Sequence, residues 1–297
     1  MEKRLKRELK DSLVIIFCKM FQYQVMNMSF KRNDVQEFIE AELGCFDIEQ
    51  WASYKSTLEQ WEITSSNIAQ VKECAKSDIN SYFFKAFQSF AQALHEIDSK
   101  KYAWSIVKLY YTVFYLLRCE ILLSNHIIVR CKTLYYAKIN IGEKLQPFNP
   151  NKFKGDHQLT IALEEKLYNL SELTDPILGN KINNENAYMW FMSNRDRVNY
   201  QMKDFSDPIC DVSLSHVISY FDNNELMNLF QFYNTKTDYS ICFDTDHTLL
   251  AIPYKKLISV YKRINTTMIV AAESKQKFIE TSKLLFDLGL KKLILAS

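Results

Sequence analysis

Glycine, the residue that lets a chain turn most freely, is nearly missing here: it occurs only at Gly44, Gly142, Gly155, Gly179 and Gly289, and the prolines are just as few, at five. Ordinary usage is about 7% for glycine, and a sandwich or barrel of many short strands needs more turns than these positions supply. The scarcity predicts long helices. It also excludes chemistry, because a Walker A loop, a G-x-G-x-x-G dinucleotide fingerprint and a G-x-S-x-G elbow each need two or more glycines a few residues apart. No such pair exists in this chain.

The apolar spacing agrees. Leu5, Leu9, Leu13 and Ile16, then Val35, Phe38 and Ile39, give residues 1–60 the texture of an N-terminal helical subdomain. After the capping cluster Thr64, Ser65, Ser66, the positions Ile68, Val71, Ala75, Ile79, Phe83, Phe87, Phe90 and Leu94 predict one long helix to about residue 99. An aromatic-rich helix is expected over 102–125. Residues 127–141 are β-branched and alternate, which predicts a short hairpin or an irregular excursion. Further helices are expected over 156–170, 184–202 and 212–233. From residue 239 the texture changes to strand (239–243), strand (248–252), helix (254–264), strand (267–272), helix (274–288) and a last strand, a small unit with parallel pairing. The expected class is α+β, mainly α, with domains at 1–60, 61–235 and 236–297.

Lysine and arginine total 37 against 35 acidic residues, a formal charge of +2, so no global field draws the chain to nucleic acid or to an anionic membrane. Any such contact must be local. Seven cysteines, never spaced C-x-x-C, suggest reduced thiols in a cytoplasmic protein and no zinc ribbon. The basic N-terminal stretch has no small-residue cleavage site after its apolar run and reads as an amphipathic helix. No segment approaches the roughly 18 apolar residues that a spanning helix needs.

Three stretches in order carry a resemblance. The run Ser105, Lys108, Tyr110, Tyr111, Phe114, Tyr115 is followed by Lys154-Gly-Asp-His157 and then by Arg195-Asp196-Arg197-Val198-Asn199-Tyr200. Over roughly residues 70–210 they resemble the helical HEPN superfamily (higher eukaryotes and prokaryotes nucleotide-binding). The resemblance implies a HEPN-like bundle and a role in prokaryotic defence or toxin–antitoxin systems, with RNA or a protein as partner and a homodimer through the helical domain. Nuclease members cut RNA without metal or other cofactor, using Arg-x4–6-His. Carried over, Arg195, Asp196 and Tyr200 are the candidate catalytic residues, and His157, Lys108 and Arg197 the candidate substrate-binding ones. An arginine can hold the scissile phosphate while a histidine moves protons near neutral pH. Here Tyr200 stands where that histidine would fall, and no Arg-x4–6-His occurs in the chain. The alternative is structural, with Arg195 paired to a carboxylate such as Glu164 or Asp204 and the aromatic stripe of 110–115 buried as core.

A second resemblance is shorter. Ile241-Cys-Phe-Asp244-Thr-Asp246-His-Thr-Leu-Leu250 is similar to the first motif of haloacid-dehalogenase-type phosphohydrolases, an apolar strand running into Asp-x-Asp-x-Thr-Leu. It implies Asp244 as nucleophile and Asp246 as acid/base, with magnesium required under this alternative only. A non-catalytic scaffold is the remaining alternative.

Overall fold

The computed structural model describes residues 32–45, 51, 53–150, 152–205, 207–209 and 214–267. What was expected of residues 1–31 and beyond Thr267, including the N-terminal amphipathic helix and the strand–helix–strand run that ends the chain, lies outside them. The described fold is mainly helical, with small antiparallel sheets.

Its frame is a helical hairpin. The long helix expected after Thr64 forms as α3 (Ile68–Asp98), following α1 (Asp34–Leu43) and α2 (Lys55–Gln60). Just ahead of α3, Asn67 Oδ1 accepts from Thr64 N at 2.8 Å and holds the entering turn. A tight turn with Lys100 at φ 58° leads into α4 (Tyr102–Leu123). On α3 the buried positions Val71, Ala75, Ile79, Tyr82, Ala86, Phe90, Leu94 and Ile97 recur every three or four residues, the stripe of a helix with one side in a core. On α4 nearly every face is buried. It packs against α3 and against three later helices, so it is the axis of the bundle.

After α4 the alternating segment forms a hairpin, β1 (His126–Cys131) against β2 (Thr133–Lys138), extended antiparallel by β3 (Gln146–Phe148). α5 (Gly155–Asn169) lies on this sheet over a secondary cluster that includes Leu134, Phe148, Leu159 and Leu163. A two-residue ladder, β4 (Lys181–Ile182) with β5 (Glu185–Asn186), precedes α6 (Ala187–Asp196). One π turn, Arg197–Gln201, follows, closed by Met202 N to Arg197 O at 3.0 Å. Then come α7 (Ser215–Asp222), α8 (Leu226–Thr235), a 3-10 turn (Ser240–Phe243) and α9 (Thr248–Thr267). One hydrophobic cluster runs from Val35 to Ile264.

The two strands expected at 239–243 and 248–252 are not formed. Tyr239 takes a left-handed conformation (φ 61°), and residues 240–243 coil as the 3-10 turn. Leu249, Leu250, Ala251 and Ile252 are the first turns of α9 and are 0–1% exposed. A short run that is apolar on every side reads the same as a buried strand or a buried helix, and here α9 enters the core by its N-terminal end. The parallel α/β unit expected from residue 239 is therefore helical as far as it is described.

Candidate functional site

Where α4, α5 and α6 meet, the three stretches of the first resemblance come together. Tyr110 and Phe114 point into the core from α4 at 1% and 5% exposure, while Tyr111 and Tyr115 on the adjoining face are half-buried. His157 arrives from the first turn of α5. That helix starts sharply at Gly155, whose φ of +80° suits glycine, and Gln158 Oε1 accepts from Lys154 N at 2.9 Å to cap it. Arg195 comes from the last turn of α6, just before the π turn, a feature that recurs at functional sites.

The contacts are specific. The Tyr110 hydroxyl is 2.7 Å from His157 Nδ1. The imidazole is 4.3 Å from the Phe114 ring and 5.8 Å from the Tyr111 ring, centroid to centroid. The Arg195 guanidinium lies 4.7 Å from the centre of the Tyr110 ring, a cation–π contact. It donates through both Nε and Nη2 to Asp196 Oδ1, and only 12% of the arginine side chain is exposed. A second pair supports the floor: Arg118 donates to the Tyr82 hydroxyl at 2.8 Å and to Asp156 Oδ1 at 2.6 Å.

Protonation follows from these surroundings. Burial, and then the Arg195 charge, pushes the His157 pKa below the ordinary histidine value, so the ring is neutral at pH 7. Burial pushes the Tyr110 hydroxyl up, so it stays protonated. Burial works against the Arg195 charge, but the Asp196 bond and Tyr110 hold its pKa above the usual value. A neutral imidazole and a permanent cation thus flank one tyrosine.

The other candidates sit apart from this contact set. Lys108 Nζ is 2.7 Å from Glu96 Oε1, binding α4 to the end of α3. Arg197 and Tyr200 are exposed on the π turn, Tyr200 at 76%. The carboxylate partner of Arg195 is its neighbour Asp196, whereas the structural alternative named Glu164 or Asp204 as examples; Glu164 is committed elsewhere in the core. Asp244 and Asp246 are exposed ahead of α9. Asp244 Oδ1 accepts from Asp246 N at 3.1 Å, and its carbonyl accepts from Thr248 N and Oγ1 at 2.8 and 2.6 Å, so this residue closes the start of a helix.

Sequence reasoning missed a buried ionic cluster. Lys256 on α9 donates to Glu120 on α4, to Asp175 Oδ2 at 2.7 Å and to the Tyr188 hydroxyl on α6 at 2.9 Å, and Tyr188 in turn donates to Asp175. Glu164 Oε1 lies 3.6 Å from the same ammonium, without a hydrogen bond to either of its oxygens. All four charged groups are within 3% of full burial. Burial and its acidic neighbours push the Glu164 pKa well up, although Lys256 pulls the other way. Burial alone would lower the Lys256 pKa, but Asp175, Glu120 and Glu164 hold it above the lysine value. Among the described residues only Glu120, Glu164 and Asp175 gather as a set that could ligate a metal ion, and the Lys256 ammonium already stands among them as the cation.

No protein-family model matches the chain, and neither the curated proteins nor the solved structures contain one significantly similar to it. No described helix is long and apolar enough to cross a membrane.

Proposed function

We propose that this chain is a HEPN-like RNA-binding protein of a prokaryotic defence or toxin–antitoxin type that acts as a diverged, metal-independent ribonuclease. The observation that carries the reading is the contact series Arg195, Tyr110, His157. It joins a phosphate-binding cation to a neutral imidazole although the two are far apart in sequence. The histidine missing from Arg-x4–6-His is supplied by the neighbouring helix.

In this reading Nδ1–H of His157 donates to the Tyr110 oxygen, which leaves the lone pair on Nε2, since the bond at one ring nitrogen sets the state of the other. Nε2 takes the proton of a ribose 2′-hydroxyl, the 2′ oxygen bonds to phosphorus, and the P–O5′ bond breaks. The imidazolium returns its proton to the departing O5′. Arg195 holds the non-bridging oxygens as charge gathers on them. Asp196 keeps the guanidinium in place.

The test is cleavage of end-labelled RNA by the full chain in excess EDTA. Cleavage should give a 2′,3′-cyclic phosphate and a 5′-hydroxyl, fall at least about a hundredfold in Arg195→Ala and His157→Ala, and fall less in Tyr110→Phe, which keeps the ring but not the hydroxyl. Cleavage unaffected by these substitutions would overturn the assignment, as would activity that appears only with magnesium and is lost in Asp244→Asn.

A further inference from the structure

One buried charge beside the Arg195–His157 contact takes no part in the chemistry above. Arg118 stands on α4 one turn past Phe114, and its fork reaches two other helices. Nη1 donates to the Tyr82 hydroxyl on α3 at 2.8 Å, and Nη2 donates to Asp156 Oδ1 on α5 at 2.6 Å. Thr160 Oγ1 is 3.5 Å from the same Nη2 and donates back to Asp156 O at 2.8 Å. The two side chains of the ion pair are mostly buried, at 15% and 18% exposure. A lysine is a single point of charge without a fork, and could not hold both partners in this geometry.

The ion pair holds the first turn of α5, where His157 directly follows Asp156. The Arg118 guanidinium also lies 5.0 Å from the centre of the Phe114 ring, whose centroid is 4.3 Å from that of the imidazole. Arg118 thus reaches His157 by two routes, along the chain through Asp156 and across the core through Phe114. The site contains two arginine–aspartate pairs, Arg118 with Asp156 and Arg195 with Asp196. These four charges bear on the imidazole, and Tyr110 and Tyr111 of α4 are its titratable ring neighbours. Burial opposes a proton on the ring; each arginine adds to that opposition and each aspartate works against it. Within a pair the two effects largely offset each other. Left alone, Asp156 would be a carboxylate one residue from a base that has to be neutral, and an opposite charge at close range favours the protonated ring.

We infer that Arg118 is a positioning residue for His157: it pins the first turn of α5 so that the imidazole meets Tyr110, and it neutralises Asp156 so that this carboxylate does not turn the base into an imidazolium. The inference rests on the ribonuclease reading for its catalytic meaning and adds what keeps the base of that site in its working state. Stability alone gives little reason for the pair, because an intact buried ion pair is close to neutral against apolar packing.

The experiment titrates the five histidines of the full chain by NMR from pH 4.5 to 8.5 without RNA, with His157 assigned from the signal lost in His157→Gln, and follows cleavage over the same range. Arg118→Met leaves Asp156 alone, so His157 should hold its proton about threefold more tightly, and the acid limb of the cleavage profile should move to higher pH with it. Asp156→Asn leaves the arginine alone and should move the His157 midpoint the other way. The double variant should bring the midpoint back close to the wild type. Cleavage at pH 8, above the acid limb, reads the pinning and should be about tenfold lower in Arg118→Met and in the double variant alike. Circular dichroism and thermal melting show which variants fold, and should Arg118→Met fail to, the direction of the shift in Asp156→Asn decides. A His157 midpoint unmoved in the folded variants, or moved the same way by both single substitutions, would overturn the inference and leave the ribonuclease reading untouched. Absence of cleavage by the wild type would overturn the ribonuclease reading instead, and the midpoints, measured without RNA, would still decide whether Arg118 governs His157.

Discussion

An imidazole enclosed by Tyr110, Tyr111 and Phe114, with a guanidinium beyond the first ring, holds a proton less tightly than one in water. His157 therefore binds its proton more weakly folded than unfolded. Because the unfolded chain then holds more protons, stability rises with pH across the interval between the two pKa values. The contribution is complete above the unfolded value of about 6.5 and is lost as pH falls through it toward the lower folded value. Urea titrations from pH 7.5 down to 5 should show a steeper loss of stability in the wild type than in His157→Gln, and equal slopes would contradict the burial assigned to the ring. Both residues of the pair were legible in sequence, His157 from Lys-x-x-His and Arg195 from Arg-Asp-Arg. Their contact through Tyr110 was not, because it depends on how three helices pack, and no local spacing records that.

At the scale of elements, legibility followed length. α3 and α4 were read to within a few residues because many turns repeat one apolar period and neither helix contains glycine. The stretch 239–252 was misread because its two apolar runs are too short to show a period and every residue of 249–252 is buried. The placement of α1 was invisible for another reason: it depends on a side chain from a different helix. Asp78, buried in the middle of α3, accepts from the backbone of Asp34 at 2.6 Å and of Val35 at 3.0 Å, so α3 supplies the cap for the first turn of α1. Burial raises this carboxyl to about 6, against the pull of the same two amides. Asp78→Ala should cost about 1–2 kcal/mol, with the earliest loss of amide-exchange protection in α1. Asp78→Asn keeps an acceptor oxygen and should cost less at neutral pH, since it removes the need to hold a buried charge. Uniform loss of protection across the bundle would contradict a local cap.

At the scale of the whole molecule, the Lys256 cluster ties together parts that sequence leaves far apart. One ammonium joins α9 to α4, to α6 and to the segment before the 3-10 helix at Pro176–Gly179, and its bond to Glu120 spans 136 positions. Within its own stretch, Pro253-Tyr-Lys-Lys-Leu, Lys256 looks like any solvent-facing lysine, which is why nothing in sequence singled it out. Removing one partner from a buried ionic group strands the others, and that typically costs about 3–5 kcal/mol, whereas the intact group is close to neutral against apolar packing. Lys256→Met should therefore destabilise the bundle by about that amount at pH 7.5 in denaturant titrations. Restoring charge balance by adding Glu120→Gln should recover part of the loss, and the two substitutions together should cost less than the sum of each alone. The pH dependence gives a second check. Burial already raises the Glu120 pKa in the wild type, and Lys256 is the strongest influence holding it down. Without that cation the Glu120 pKa climbs further, and the glutamate protonates at a higher pH in the folded variant than in its unfolded chain. The deficit of Lys256→Met should accordingly shrink as pH falls from 8 toward 5, because protonation removes the stranded charge. A deficit that is constant over that range would mean the lysine acts through its aliphatic stem alone, and the cluster would then be packing rather than the electrostatic tie that fixes α9 in the bundle.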